Sequence, residues 1–177
     1  GPVLYWSDRL GQGNRVFSMP KFRTMRIDTP QLASHLLENP EHWLTPLGGF
    51  LRRSSLDEFP QLWSILKGDM SFVGPRPALD NQRDLNDLRT EYGVHEIPVG
   101  LTGWAQINGR DECPLFEKVA RDVYYLQHRS FRFDLKIIAL TAWKVLRQEG
   151  TDVPKHLTGS RNSQPTDAIE LPERRAA

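Results

Sequence analysis

Apolar residues at helical spacing mark three segments of the chain. In the first segment, 59–67, the apolar positions are followed by Gly68, and glycine is a common helix terminator. The second segment, 115–127, and the third, 133–146, show the same three- and four-residue spacing. We therefore predict helices over all three. At about 14 residues the third helix is too short to span a bilayer, so it belongs to the core or to a membrane interface.

Other segments show patterns that favour extended or irregular structure. Residues 15–26 are rich in strand-forming side chains, and Pro20 excludes an uninterrupted helix or a central strand there. Residues 100–110 contain three glycines, too many for a stable helix, so we expect a loop or a loop-strand-loop. The sequence 74–77, Gly-Pro-Arg-Pro, predicts a rigid turn that presents Arg76 in a fixed direction.

The remaining segments complete a helix-rich pattern. Short helices are predicted over 31–37 and 80–92, and a turn over 45–53 leads into a short basic element. After residue 150 the chain lacks periodicity and is rich in Pro, Ser, Thr and Arg, which predicts a flexible tail over 151–177. We therefore expect a helix-rich α/β fold, with a single compact domain over 1–150 and few short strands.

Composition narrows the classes of function. The 177 residues are 38% hydrophobic and 25% charged, as in globular proteins. Lys and Arg number 23 against 22 Asp and Glu, so no bulk positive field attracts nucleic acid, and we expect no nucleic-acid partner. Cys113 is the single cysteine, which excludes an internal disulfide and a multi-cysteine metal site. No stretch of roughly 18 apolar residues is present, so we expect this chain to be soluble.

Two adjacent carboxylates, Asp57 and Glu58, form the main candidate for chemistry. A helix that starts at Asp57 places Pro60 in the first turn, where its missing N–H costs nothing, and the helix dipole then favours both ionised carboxylates. An ionised carboxylate can attack a phosphoryl centre or bind a divalent cation. Helix capping is an equally physical interpretation, because Ser55 and Glu58 match a capping box. These residues alone leave both open.

Basic residues from three separate segments could serve such a centre. Fixed cations in these segments would neutralise the charge of a leaving phosphate, and the candidates are Lys21, Arg23, Arg52, Arg53 and Arg76. Each of them taken singly is equally consistent with an ordinary solvated surface residue. The glycine-rich segment 100–110 could approach a nucleotide closely, but it matches neither the Walker pattern nor the dinucleotide fingerprint.

Four motifs in one order carry a resemblance to a known family. They are KFRTM at 21–25, LRRSSLDEFPQLW at 51–63, LKGDMSFVGPRP at 66–77 and GLTGWAQINGR at 100–110. Together they closely resemble the bacterial sugar transferases, the monotopic phosphoglycosyltransferases of glycan assembly. The resemblance extends from about residue 3 to about residue 147 of the chain.

The resemblance implies a reaction and the residues at its centre. Such enzymes transfer a sugar-1-phosphate from a UDP-sugar to undecaprenyl phosphate, release UMP and require Mg²⁺, as the first membrane step of polysaccharide or glycoprotein assembly. By this resemblance Asp57 is the nucleophile that forms a covalent phosphosugar intermediate, and Glu58 is the Mg²⁺ ligand. Transfer through one carboxylate would let each acceptor enter in turn, as in ping-pong kinetics.

The resemblance also marks further positions for substrate or phosphate binding. They are Lys21, Arg52, Arg76, Arg110, Asp122 and Asp134. For Asp134, capping of its own helix is an equally good interpretation.

A membrane surface is the expected setting of the reaction. Family members usually begin with a hydrophobic segment that enters the inner leaflet, and this sequence starts without one, so we expect a truncated chain whose full-length form lies on the cytoplasmic face of the bacterial inner membrane. The amphipathic helices 59–67 and 133–146 are the candidates for contact with the bilayer. Trp63, Trp104 and Trp143 could anchor at the interface, although core packing is the commoner role of tryptophan.

Two other functions remain as alternatives. A Mg²⁺-dependent hydrolase of UDP-sugars would use the same carboxylates without a lipid acceptor. A non-catalytic membrane scaffold would keep the fold alone, and the intact Asp57-Glu58 pair argues against it.

Overall fold

The structure is a computed structural model that describes most of the chain. The described residues are 1–30, 39–108 and 114–147. Several predictions concern residues outside these ranges: the helix at 31–37, substrate binding by Arg110, and the tail at 151–177.

An antiparallel sheet forms from three strands in the order β2-β1-β4. Strand β1, Leu4–Leu10, pairs along its whole length with β2, Val16–Phe22, and its last residues pair with β4, Ala78–Leu79. Strand β2 confirms the extended prediction for 15–26. It is an edge strand of this sheet, which is where Pro20 is tolerated because it has no N–H to donate. The hydrophobic pattern did not reveal β1.

A second, parallel pair joins β3, Ser71–Val73, to β5, Gly100–Thr102. Gly100 lies so close to the backbone of Gly74 that a Cβ atom on Gly100 would overlap it. The prediction of a strand in 100–110 is confirmed, but the loop predicted after it is wrong, because α4 forms over Trp104–Asn108. The glycines Gly100 and Gly103 precede this helix, so they do not weaken it.

Three longer helices confirm the helix predictions for 80–92, 115–127 and 133–146. They are α3, Arg83–Glu91; α5, Leu115–His128; and α6, Phe131–Leu146. Helix α6 begins after Ser130, whose Oγ accepts a hydrogen bond from the Phe133 N–H. Val119 of α5 and Ile137 of α6 are completely buried, in two neighbouring parts of the apolar core.

The predicted helix at 59–67 is real but starts earlier and in a different form. A 3₁₀ helix covers Leu56–Gln61, and α2 continues it over Leu62–Leu66. Ser55 precedes it with a positive φ of 57°. In an α-helix the ring of Pro60 would clash with the carbonyl of Leu56, so the tighter winding of the first turns has a direct steric reason.

The remaining elements are short. The predicted basic element is α1, Gly48–Arg53, and further 3₁₀ helices cover Gln12–Asn14, Pro40–Trp43 and Val94–Glu96. The observed architecture confirms a helix-rich α/β fold with few short strands. None of the helices in the described ranges has both the length and the apolar content to cross a membrane.

Candidate active site

The 3₁₀ helix of residues 56–61 carries Asp57 and Glu58 next to the end of β2. Lys21 lies near that end of β2, and Arg76 lies in the turn between β3 and β4. Both basic side chains reach Glu58. The structure therefore brings together residues that the sequence places in three separate motifs.

Glu58 is the fixed member of the carboxylate pair. Its Oε1 accepts hydrogen bonds from Lys21 Nζ at 2.8 Å and from Arg76 Nη2 at 3.3 Å. Burial raises the pKa of Glu58, but the charges and hydrogen bonds of Arg76 and Lys21 outweigh it and lower the pKa to about 2. Glu58 is therefore ionised at neutral pH. Its side chain bonds to these cations and does not complete the capping box with Ser55.

Asp57 has a different environment from its neighbour. Burial raises the pKa of Asp57, the nearby charge of Lys21 opposes the rise, Glu58 adds to it, and Arg52 opposes it. A backbone hydrogen bond also lowers the pKa of Asp57, but among the described residues no side chain donates a hydrogen bond to its carboxylate. A desolvated carboxylate without such a partner is a better nucleophile than a paired one, whereas Glu58 is held in place. Asp57 is thus suited to nucleophilic attack, whereas Glu58 is suited to a fixed electrostatic role.

Arg52 is oriented by Thr24, which lies two residues after the end of β2. Its Nε donates to Thr24 Oγ1 at 3.0 Å, and the first residue of α1, Gly48, packs against the Thr24 backbone. The Arg52 charge favours the ionised form of Asp57. Arg52 therefore belongs to the same electrostatic cluster as Lys21 and Arg76.

A small cavity lies beside the cluster and adds two residues that sequence reasoning missed. Arg9 and Gln61 line it together with Lys21, Glu58 and Arg76. Gln61 is 2% exposed, and its Nε2 has no hydrogen-bond partner among the described residues. Gln61 lies inside the 51–63 motif and could have been found there, whereas nothing in the pattern of β1 singled out Arg9.

Asp122 and Asp134 are not part of this cluster. Asp122 is buried inside α5 and forms an ion pair with Arg89 of α3. Asp134 Oδ1 accepts a hydrogen bond from the Tyr125 hydroxyl at 2.8 Å, which links α6 to α5. Because Ser130 caps α6, the structure gives Asp134 an interhelical contact in place of the capping role considered above.

Asp57 and Glu58 offer carboxylate oxygens of the kind that Mg²⁺ binds together with phosphate oxygens and water. Among the residues that the structure describes, no three His, Cys, Asp or Glu side chains are grouped to hold a metal ion. Mg²⁺ at phosphoryl sites is commonly bound by one or two carboxylates together with phosphate oxygens and water. Both described contacts of Glu58 end on Oε1, so Oε2 is the oxygen that could face a cation.

Several apolar side chains on the 3₁₀ helix and α2 are exposed. Phe59 is 61% exposed, Trp63 59% and Leu66 81%. Trp143 and Leu146 are likewise exposed at the end of α6. The core packing favoured for the tryptophans is therefore wrong for Trp63 and Trp143. It is correct for Trp104, which stacks on Tyr124 and packs against Phe133.

Comparisons with known proteins agree with the arrangement of the motifs. A family model described as bacterial sugar transferase matches residues 1–148. The chain is 44% identical over 162 residues to EpsL of Bacillus subtilis (strain 168), an uncharacterized sugar transferase, covering 90% of this chain and 78% of EpsL.

Two longer relatives have names that give a reaction. The chain is 41% identical over 158 residues to the UDP-glucose:undecaprenyl-phosphate glucose-1-phosphate transferase of Xanthomonas campestris pv. campestris, covering 84% of this chain and 32% of the relative. It is 38% identical over 152 residues to the protein of the same name in Escherichia coli (strain K12), covering 81% and 32%. The chain thus corresponds to 32% of each of these relatives.

Proposed function

The chain belongs to the bacterial sugar transferase family, and from this premise we propose that it transfers a sugar-1-phosphate from a UDP-sugar to undecaprenyl phosphate. The names of the Xanthomonas and Escherichia relatives support both the donor and the acceptor. The observation that carries the proposal is the division between the two carboxylates. Glu58 is fixed by two cations, whereas Asp57 is desolvated and lacks a side-chain partner among the described residues.

The first half of the reaction would form a covalent intermediate on Asp57. A carboxylate oxygen of Asp57 attacks the phosphorus that bears the sugar, and the bond from that phosphorus to the bridging oxygen breaks. UMP leaves with the bonding electron pair, and the phosphosugar remains as an acyl phosphate on Asp57. Lys21, Arg52 and Arg76 stabilise the charge that develops on the phosphoryl oxygens.

The second half would transfer the phosphosugar to the lipid. An oxygen of undecaprenyl phosphate attacks the same phosphorus, the bond to Asp57 breaks, and the carboxylate is regenerated. Because UMP leaves before the lipid reacts, the kinetics are ping-pong. Bound Mg²⁺, held by Glu58 and substrate oxygens, would neutralise charge on the leaving phosphate.

Gln61 is proposed as an additional substrate contact. Its amide lines the cavity next to Lys21 and Arg76 and is buried without a partner among the described residues. A buried N–H without an acceptor costs about 1–3 kcal/mol, and an acceptor that arrives with the substrate would remove this cost. A phosphoryl oxygen has the required chemistry.

The acceptor would be met at a membrane surface. The exposed apolar side chains of 56–66 adjoin Asp57 in the chain, so a lipid phosphate at the interface would be near the nucleophile. We propose that this surface faces the cytoplasmic leaflet of the bacterial inner membrane.

Replacing the nucleophile tests the proposal directly. Asp57→Asn preserves size and removes the attacking charge, so we expect loss of UMP release and of a covalent phosphosugar adduct detected by mass spectrometry. Unchanged UMP release in Asp57→Asn would show that another group is the nucleophile.

The products separate the candidate functions. Undecaprenyl-diphosphate-sugar formed by the wild-type chain supports the transferase. UMP and free sugar phosphate in the absence of lipid would identify a hydrolase, and no turnover of any UDP-sugar in a panel would favour a scaffold.

A further inference from the structure

A buried ion pair joins α3 to α5 and contacts the turn that carries Arg76. Arg89 of α3 is 6% exposed and Asp122 of α5 is 2% exposed. Arg89 Nε and Nη2 both donate to Asp122 Oδ2, at 3.0 and 2.6 Å. Two donors on one oxygen fix the plane of the guanidinium group.

The third described hydrogen bond of Arg89 reaches the candidate active site. Its Nη1 donates to the backbone carbonyl of Arg76 at 2.9 Å. The Arg76 side chain in turn donates from Nη2 to Glu58. Hydrogen bonds therefore link Asp122 to Arg89 and Arg89 to the Arg76 backbone, and the Arg76 side chain continues the connection to Glu58.

The turn that carries Arg76 depends on such external bonds. Pro75 and Pro77 have no N–H, so neither can donate a hydrogen bond that would stabilise the turn from within. The carbonyls of residues 75–77 each accept from a different element: Pro75 from the Gly100 N–H of β5, Arg76 from Arg89 of α3, and Pro77 from Arg9 of β1. Arg89 supplies the bond to the residue whose side chain reaches Glu58.

We propose that Arg89, fixed by Asp122, is a positioning residue that holds the Arg76 guanidinium against Glu58 for phosphoryl transfer. The inference rests on the proposed function for its catalytic consequence. Stability alone gives little reason to keep this pair, because an apolar pair of similar volume is often as stable as a buried ion pair. It also gives Asp122 a role that acts through Arg89, without contact to substrate.

The first experiment is a double-mutant cycle with Arg76. Replacing Arg89 alone would leave Asp122 buried and unpaired, so the variant combines Arg89→Met with Asp122→Val to preserve folding. We expect Arg76→Ala and the Met/Val variant each to lower kcat by roughly 100-fold, the typical effect of losing one charge-stabilising donor. If Arg89 acts through Arg76, the combined variant is little worse than Arg76→Ala alone. Multiplication of the two effects would contradict the proposal.

Arg121→Met is the matched control. Arg121 is 3% exposed, lies beside Asp122 on α5 and forms an ion pair with Glu117 at 3.1 Å. Its loss removes a buried arginine without touching the Arg76 turn, so its effect should multiply with that of Arg76→Ala. Non-additivity of the control would show that the cycle reports general destabilisation, and would overturn the proposal.

Arg89→Lys separates geometry from charge. Lysine keeps the positive charge beside Asp122, but its point charge cannot make the same fixed set of three hydrogen bonds. We expect a folded protein with kcat lowered at least about 10-fold. Wild-type kcat in Arg89→Lys would contradict a positioning role.

A crystal structure of the Met/Val variant tests the inference without turnover. We expect the Arg76 carbonyl to move and the contact between Arg76 Nη2 and Glu58 Oε1 to be lost. An unchanged contact would overturn the inference whatever the activity. Absence of lipid-linked product from the wild-type chain would instead overturn the proposed function, so the two failures are distinguishable.

Discussion

Asp57 and Glu58 are adjacent in the chain, yet their carboxylates meet different neighbours. Glu58 turns toward Lys21 and Arg76, and the balance of burial against two cations lowers its pKa to about 2. Burial dominates at Asp57 and raises its pKa. Both residues lie on the same turn of 3₁₀ helix. Their pKa values therefore differ because only Glu58 forms hydrogen bonds with Lys21 and Arg76.

The burial of the Asp57 carboxylate should lower the free energy of unfolding by a measurable amount. A carboxylate whose folded pKa is raised destabilises the folded state above that pKa, and the penalty disappears as the pH falls below the unfolded value of about 3.9. We therefore expect Asp57→Asn to be more stable than wild type at pH 7. Urea unfolding across pH 3–7 should show the advantage shrinking toward acid pH. An advantage that persists at pH 3 would point to packing as its cause.

Glu58 should show the opposite pH dependence. Its folded pKa is lowered from 4.5 to about 2, so its contribution to stability is present above 4.5 and is lost as the pH falls through that window. Glu58→Gln removes the charged carboxylate that Lys21 and Arg76 contact, and we expect it to be less stable than wild type at pH 7. In unfolding titrations without Mg²⁺ the difference should narrow between pH 4.5 and about 2. A pH-independent difference would argue against the ion pairs.

Gln61 offers a test that separates stability from function. Gln61→Met keeps the length of the side chain and removes the buried donor, so we expect stability to rise by about 1 kcal/mol. If the donor meets a phosphoryl oxygen, kcat/KM falls by roughly 10-fold, the equivalent of about 1.4 kcal/mol of lost transition-state binding. Chemical denaturation and UMP release measure the two effects. Full activity in this variant would exclude the contact.

At the scale of elements, close backbone packing joins the Arg76 turn to β5. A Cβ atom on Gly100 would overlap the Gly74 backbone, so Gly100→Ala must separate β3 from β5. We expect a loss of about 1–3 kcal/mol in unfolding free energy together with reduced activity. Gly49→Ala is the control, because its Cβ would make only ordinary contacts and the substitution lies in α1. There we expect a gain of about 0.5–1 kcal/mol. Equal effects at the two glycines would contradict the packing argument.

The 3₁₀ helix and α2 illustrate how one element can serve two roles. One side chain of the segment, Gln61, is buried against the cavity, whereas Phe59 and Trp63 are exposed. Short, irregular winding places successive residues in these different environments. The same six residues of 3₁₀ helix therefore supply the carboxylates and part of an apolar surface.

At the scale of the whole molecule, the exposed apolar residues predict membrane binding. Replacing Phe59 and Trp63 together by serine removes two large apolar side chains from the surface without disturbing the core. We expect weaker cosedimentation with anionic phospholipid vesicles and a raised KM for the lipid acceptor, with UDP-sugar binding unchanged. Val16→Ser is the control, because Val16 is also exposed but belongs to β2. Equal vesicle binding by wild type and the double variant would exclude this surface.

The sequence determined the elements whose signal is local. Helices α5 and α6 follow from the apolar spacing within each segment, because burial of one face imposes the helical period on the sequence itself. Pro20 placed β2 at an edge for a similarly local reason, the missing N–H. The motifs also identified the family, since each is a contiguous run of residues.

Tertiary structure decided what the functional side chains contact. Lys21 meets Glu58 across 37 positions of sequence and Arg76 meets it across 18, and no local spacing encodes such pairs. Tertiary packing also pairs Asp122 with Arg89 and brings the Gly100 backbone against that of Gly74. Periodicity reports which face of an element is buried, whereas hydrogen-bond partners and pKa values depend on which elements are brought together. For that reason the sequence alone could locate the carboxylate pair but could not assign different environments to its two members.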